Sequence, residues 1–160
     1  MIRPTATADA PRIAGIYNQH VLETVVTFEE QPVADDEMAR RISEVAAEYP
    51  WLVSEFEGSM VGFAYASSWK RRSAYRFAVE STIYLAPEYF GRGLGSELYR
   101  ALIAEMRLRG MHCAIGGIAL PNPASIALHE KLGFKQIGHF REVGWKCGRW
   151  VDVGYWELML

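Results

Sequence analysis

The chain is poor in cysteine, has no excess charge of one sign and no long apolar run. Its two cysteines, Cys113 and Cys147, are too few for a disulfide framework and lack zinc-site spacing. Both read as small buried side chains. His20, His112, His129 and His139 show no paired ligand spacing, so no metal is expected. The formal net charge of −2 gives none of the general basic character that nucleic acid or an anionic membrane surface would call for. No apolar run of about 18 residues exists to span a bilayer, and the N-terminus shows no signal-peptide pattern. The expectation is a soluble, cytoplasmic protein without nucleic-acid or membrane partners. Repeats, low-complexity tracts and linkers are absent too, so residues 1–160 read as a single domain. At 50% hydrophobic and 22% charged residues, the chain can build an ordinary globular core.

The informative stretch runs from Glu80 to Tyr99. A β-branched and aromatic run (Thr82, Ile83, Tyr84, Leu85) stops at Ala86-Pro87. A glycine loop follows (Gly91, Gly93, Gly95), and then a helical pattern opens with Leu94 and Leu98. Strand, glycine loop and helix together present free backbone N–H groups at the positive end of a helix dipole, where a phosphate binds. The two commonest phosphate loops do not fit. No Gly-Lys-Ser/Thr ends the loop, and Gly91-x-Gly93-x-Gly95 is not G-x-G-x-x-G near the start of a βαβ unit. Taken alone, the three glycines are a weak signal, also compatible with an ordinary tight turn.

Periodicity orders the rest. Ile2-Arg3-Pro4 is a short strand. A helix follows Thr7, with Ile13, Ile16, Tyr17 and Val21 on one face and Pro11 in its first turns. Residues 24–33 form a loop. Asp35-Asp36-Glu37 opens a second helix, its acids at the favoured end, with Met38, Ile42 and Val45 as the apolar stripe. Trp51–Phe56 and Met60–Ala66 are strands joined by a turn at Glu57-Gly58-Ser59. A long strand covers about Phe77–Leu85, and a helix runs from Gly93 to Leu108 with Gly110 as its natural stop. His112–Ile118 is a strand. Asn122-Pro123 starts another helix as cap and first position, ending at Leu132-Gly133. Phe134–Ile137 restarts a strand, and the Trp- and Tyr-rich segment 143–158 reads as a terminal pair of strands. The order β-α-α-β-β-β-α-β-α-β-β predicts an α/β protein with a mixed sheet and helices on both faces.

These residues resemble the GNAT N-acetyltransferases. The resemblance is carried by the loop P-E-Y-F-G-R-G-L-G-S (87–96) and by N-P-A-S-I-A-L-H-E-K-L-G-F (122–134). Further segments are similar to the phosphinothricin and methionine sulfoximine acetyltransferase branch. They are Y-P-W-L-V (49–53), W-K-R-R-S-A-Y (69–75), V-E-S-T-I-Y (79–84), G-I-A-L-P-N (117–122) and G-W-K-C-G-R-W-V-D-V-G-Y-W (144–156). The likeness covers nearly the whole chain. It implies a GNAT fold, with a twisted, mostly antiparallel mixed sheet, and acetyl-CoA as co-substrate without a metal. It places the cofactor at Gly91, Arg92, Gly93, Leu94, Gly95 and Ser96, at the main chain of Tyr84 and Leu85 where GNAT strands splay, and beside Asn122. Phe90 stands where GNAT loops often carry Gln or Arg. His129 stands where many GNAT enzymes carry a tyrosine acid, and the branch carries histidine there.

Acetyl transfer to an amine requires that the amine lose a proton, that a donor meet the developing oxyanion, and that the leaving thiolate be accommodated. Glu80 is the candidate base, with desolvation expected to raise its pKa, acting through water. His129 lies two turns after the Asn122 cap, about 10 Å along the helix axis, and is a candidate for proton handling or substrate orientation. The basic cluster Lys70, Arg71, Arg72 and Arg76 beside Trp69 and Tyr75 precedes the catalytic strand. Lys70, Arg72 and Tyr75 are candidates to hold the carboxylate and oxyanion of a small amino acid. Phe28 and Trp69 could wall its methylene chain.

The resemblance therefore implies N-acetylation of the α-amine of L-phosphinothricin, L-methionine sulfoximine or methionine sulfone, with herbicide resistance as one consequence. It also implies a homodimer; the stretch Trp145, Trp150, Tyr155, Trp156 is too aromatic for a free tail and is expected either to complete its own sheet or to cover a partner. Two alternatives stay open at this level. One is a GNAT acting on a peptide or protein N-terminus or another small amine. The other is a non-catalytic acetyl-CoA-binding module.

Overall fold

The computed structural model describes residues 1–160. Its elements are β1 (Ile2–Pro4), α1 (Ala10–Glu23), α2 (Asp35–Ala46), β2 (Trp51–Phe56), β3 (Ser59–Ser68), β4 (Ala78–Leu85), α3 (Leu94–Leu108), β5 (Cys113–Leu120), α4 (Pro123–Lys131), β6 (Lys135–Lys146) and β7 (Arg149–Met159). This is the order read from periodicity. Short 3-10 turns at Thr7–Asp9, Ser73–Tyr75 and Pro87–Tyr89 add to it.

The strands form one seven-stranded sheet in the order β1-β2-β3-β4-β5-β7-β6. Every pairing is antiparallel except β4 with β5. Both two-residue hairpins use turns with positive φ. Glu57 and Gly58 join β2 to β3, and Cys147 and Gly148 join β6 to β7. The C-terminal pair differs from the sequence reading. Phe134–Ile137 and the first half of 143–158 belong to one strand, β6, whose register slips between Gln136 and Gly138 and between Phe140 and Gly144. These bulges break the period-2 alternation from which a continuous strand could be read. The cysteines also differ from expectation: Cys147 is exposed in its turn and Cys113 is only half-buried.

Alternation along the strands separates two cores. On one face Val79, Ala64, Ala66 and Ala114 pack under α3 and α4, against Leu98, Tyr99, Leu102 and Met106. On the other, Val53 and Phe63 pack under α1 and α2, against Ile13, Ile16, Met38 and Ile42. The helices thus flank the sheet on both faces. No helix is long and apolar enough to cross a membrane.

Candidate active site

The parallel ladder between β4 and β5 is short. It holds only Ala78↔Cys113, Val79↔Ala114 and Glu80↔Ile115, after which β4 stays with β3 and β5 runs on with β7 as far as Leu120. The two strands therefore open into a wedge beyond Glu80. The Ala86 N–H bonds the Val61 carbonyl, which fixes the phase of the β3–β4 ladder. Even-numbered β4 residues, Tyr84 included, spend their backbone groups on β3. The main chain facing the wedge belongs to Ser81, Ile83 and Leu85. The Leu85 carbonyl already accepts from His20 Nε2 at 2.8 Å. The backbone groups of β4 left free at the wedge are thus those of Ile83 and the Leu85 N–H rather than those of Tyr84, whose ring packs against Tyr17 and His20.

The glycine loop closes the end of the wedge. Gly91 and Gly93 have φ of 76° and 80°, a region open to glycine at little cost, and Gly93 caps α3. The backbone N–H groups of residues 91–96 have no acceptor in the chain, the first bond of α3 running from Glu97 to the Gly93 carbonyl. Free donors at the positive end of a 15-residue helix fit a pyrophosphate. Gly95 serves packing, since a Cβ there would lie 3.1 Å from Leu85 Cδ1. The exposed Arg92 guanidinium stands 5.2 Å from the Tyr89 ring centre. Asn122 is an N-cap in fact, its Oδ1 accepting the Ser125 N–H at 3.1 Å.

Glu80 and His129 lie on opposite faces of the sheet. The adjacent glycines of β5 show this. A Cβ on Gly117 would lie 3.6 Å from Glu80 Oε1 and 3.3 Å from Tyr155 Cε1, while one on Gly116 would lie 2.5 Å from His129 Nε2. Successive strand positions face opposite ways, so the two side chains do not form a dyad.

The Glu80 side is open. Gly117 is exposed, and the space above it is bounded by Glu80 and Tyr155. Tyr155 meets Trp69 edge-on at 5.8 Å and Phe140 at 5.5 Å. The Lys70 ammonium sits 4.6 Å from the Trp69 ring centre. Burial raises the Glu80 carboxyl above the ordinary carboxylate range, and the Lys70 charge partly opposes the shift. Burial also raises the Tyr155 phenol, with the Glu80 charge adding to it. Val79 and Ile83, the apolar neighbours of Glu80 along β4, face the other core and do not cover it. Tyr155 and Gly117 are not among the site residues expected from the sequence, because a tyrosine in an aromatic terminal strand and a glycine in a strand carry no signal of what they face.

His129 is buried and fully bonded. Its Nδ1 lies 2.8 Å from the Ser125 carbonyl, and its Nε2 lies 3.0 Å from the Tyr99 hydroxyl, itself 2.7 Å from Ser81 Oγ. A carbonyl only accepts, so Nδ1 carries the proton and Nε2 accepts from Tyr99. Burial lowers the imidazole pKa, although the Ser125 bond opposes this.

The remaining expected contacts are less converged. Arg72 and Tyr75 are exposed in the segment between β3 and β4, neither bonded to Glu80's surroundings. Phe28 is partly exposed in the loop after α1 and covers Gly144 of β6 so closely that a Cβ there would lie 2.3 Å from its ring. That loop is tied down by Lys146 Nζ donating to the Thr27 carbonyl at 2.7 Å, by Tyr17 to Thr27, and by Arg41 to Glu29.

Comparison with known proteins agrees with this geometry. The family described as acetyltransferase (GNAT) domain matches residues 2–154. The chain is 40% identical over 156 residues to phosphinothricin N-acetyltransferase of Streptomyces viridochromogenes, covering 98% of this chain and 85% of that one. It is 38% identical over 160 residues to the L-methionine sulfoximine/L-methionine sulfone acetyltransferase of Salmonella typhimurium, covering 99% and 94%. A GNAT superfamily phosphinothricin acetyltransferase from Sinorhizobium meliloti, solved in complex with acetyl-CoA, superposes with a TM-score of 0.97 at 40% identity, covering 100% of this chain and 88% of that one. The family match over residues 2–154 and the full-length relatives, on a chain whose helix start offers free N–H groups to a pyrophosphate, make it a member of the GNAT acetyltransferases.

Proposed function

We propose that this acetyltransferase acts on the α-amine of a small amino acid with an anionic or oxidised tail, in the class of L-phosphinothricin, L-methionine sulfoximine and methionine sulfone. The observation that carries this reading is the exposed Gly117, flanked by the desolvated Glu80 carboxyl and the Tyr155 ring, with Lys70 over Trp69 beside that ring. Names of full-length relatives support the same class.

Acetyl-CoA supplies the acetyl thioester. The N–H groups of residues 91–96 hold its pyrophosphate, and the wedge backbone at Ile83 and Leu85 aligns its arm. Glu80, through water, accepts the proton that the substrate ammonium must lose before its nitrogen has a lone pair. Lys70 and Arg72 attract the acidic groups of the substrate, Tyr75 and Trp69 flank them, and Phe28 limits the reach of the tail. His129 contributes by orientation. The exposed Phe140, Val143, Trp145 and Trp150 on the β6–β7 hairpin support a homodimer, whereas Trp156 of the same aromatic stretch is buried in its own core; the reading takes the enzyme to be cytoplasmic. Acetylated phosphinothricin would leave the cell resistant to that herbicide.

The test is thiol release from acetyl-CoA across L-methionine sulfoximine, L-phosphinothricin, methionine sulfone, the twenty amino acids and a peptide set. Saturable release with the first three and little with peptides is expected. Release with peptides alone would overturn the substrate class and leave the family assignment standing.

A further inference from the structure

On the α3/α4 face, the wedge between β4 and β5 is bridged by side chains. Ser81 is the first β4 residue beyond the last rung, Glu80↔Ile115. Its hydroxyl bonds the Tyr99 hydroxyl from α3, which bonds His129 Nε2 from α4. The imidazole lies on Gly116, the first β5 residue beyond that rung, and only a glycine leaves room for it. Phe134 closes the cluster, its ring 5.0 Å from His129 and 5.4 Å from Tyr99. Ser81, Tyr99 and His129 are all buried, at 5%, 0% and 4% exposure. Where the backbone ladder ends, a chain of two hydroxyls and a ring takes over.

We propose that Ser81, Tyr99 and His129 form a strut that fixes the separation of β4 and β5, and with it the fit of the acetyl-CoA arm. The proposal rests on the acetyl-CoA reading above. His129 is then a positioning residue that acts through Tyr99 and Ser81 and exchanges no proton with the reacting groups. The bonding supports this. Nδ1 is committed to the Ser125 carbonyl, and protonating Nε2 would force the Tyr99 hydroxyl to reverse. No charged side chain stands among the groups that shift His129; the Ser125 carbonyl alone favours the imidazolium, and burial outweighs it. Tyr99 is the one titratable group bonded to it, and burial holds that phenol neutral.

Tyr99→Phe tests the strut, because it keeps the ring and removes both bonds. Calorimetric CoA binding should weaken by about tenfold, as for a loss of one to two hydrogen bonds. The KM for acetyl-CoA should rise with it, the KM for the amino acid should hold, and the kcat–pH curve should keep its shape. Ser81→Ala reads the same strut from the β4 end if Tyr99→Phe does not fold, with a smaller rise in the same direction. Unchanged CoA affinity in these variants would overturn the proposal. So would His129→Gln if it abolished one limb of the kcat–pH curve while CoA affinity stayed intact, since His129 would then be a proton donor. A wild-type chain that bound no CoA would instead overturn the acetyl-CoA reading and the strut's purpose with it.

Discussion

Glu80→Gln should make the protein slower and sturdier at once. The Glu80 carboxyl is raised by burial, with only the Lys70 charge opposing and no hydrogen bond contributing. A carboxyl with a raised folded pKa binds its proton more tightly folded than unfolded. Its contribution to stability is therefore present below the unfolded value, near 4.3, and is lost as pH rises through the folded value. At neutral pH the carboxylate is a cost, and Gln removes it. Each 1 kcal/mol recovered raises Tm by about 2–4 °C in a chain of this size, and the gain should vanish below about pH 4, where both chains are neutral at this position. Activity should move the other way. Loss of a general base lowers kcat/KM by about 10²–10⁴-fold near neutrality. The deficit should narrow at alkaline pH, where the substrate carries a free amine without help. Thiol release from pH 6 to 9.5, beside melting curves at pH 4 and 7.5, measures both arms. A pH-independent loss of activity would refute the role as base. A lowered Tm at pH 7.5 would refute the claim that the buried carboxylate is a cost.

Other expectations follow from single contacts. Gly93→Val places a branched residue at φ 80° at the head of α3; the KM for acetyl-CoA should rise about tenfold or more, and an unchanged value would remove the phosphate site from this loop. Asn122→Ala deletes the cap on α4 and should cost about 1 kcal/mol, seen as a lower Tm; a rise in acetyl-CoA KM beyond that seen in other variants of equal Tm would show that the side chain also meets the cofactor. Gly144→Ala drives a methyl into the Phe28 ring. It should raise the amino-acid KM and leave that of acetyl-CoA alone, whereas equal rises in both would show that Phe28 does not wall the acceptor.

Much of the fold was legible because each element carried its own punctuation. Asn122-Pro123 announced α4, three acids announced α2, and the glycine loop separated β4 from α3. The site was legible in part. Of the residues singled out in the sequence, Glu80 borders Gly117, Trp69 with Lys70 meets Tyr155 beside it, and the loop N–H groups stand without acceptors at the head of α3. What spacing could not give was the facing of neighbours. Whether Gly116 or Gly117 looks toward Glu80 depends on the phase of β5 against β4, and that phase is set by tertiary pairing. His129 read as a residue for proton handling or substrate orientation, with no partners named, for the same reason: two turns along a helix fixes its height, while its partners Tyr99 and Ser81 come from elements 30 and 48 residues away. The backbone phase of β4, which turns Tyr84 toward β3 and Ile83 toward the wedge, is equally invisible in a run of β-formers.

The bond from Lys146 to the Thr27 carbonyl joins residues 119 positions apart. The groups proposed to hold the acetyl donor, by contrast, are drawn from a compact stretch of chain between β4 and α4. The two halves of the reaction site therefore differ in when they can exist. The donor's cradle can assemble from neighbouring segments. The acceptor's far wall needs the first loop and the last hairpin together, a closure that carries more chain entropy and slows with separation. During synthesis the donor half can take shape while the last hairpin is still being made, and selectivity for the acceptor is the final property the protein acquires.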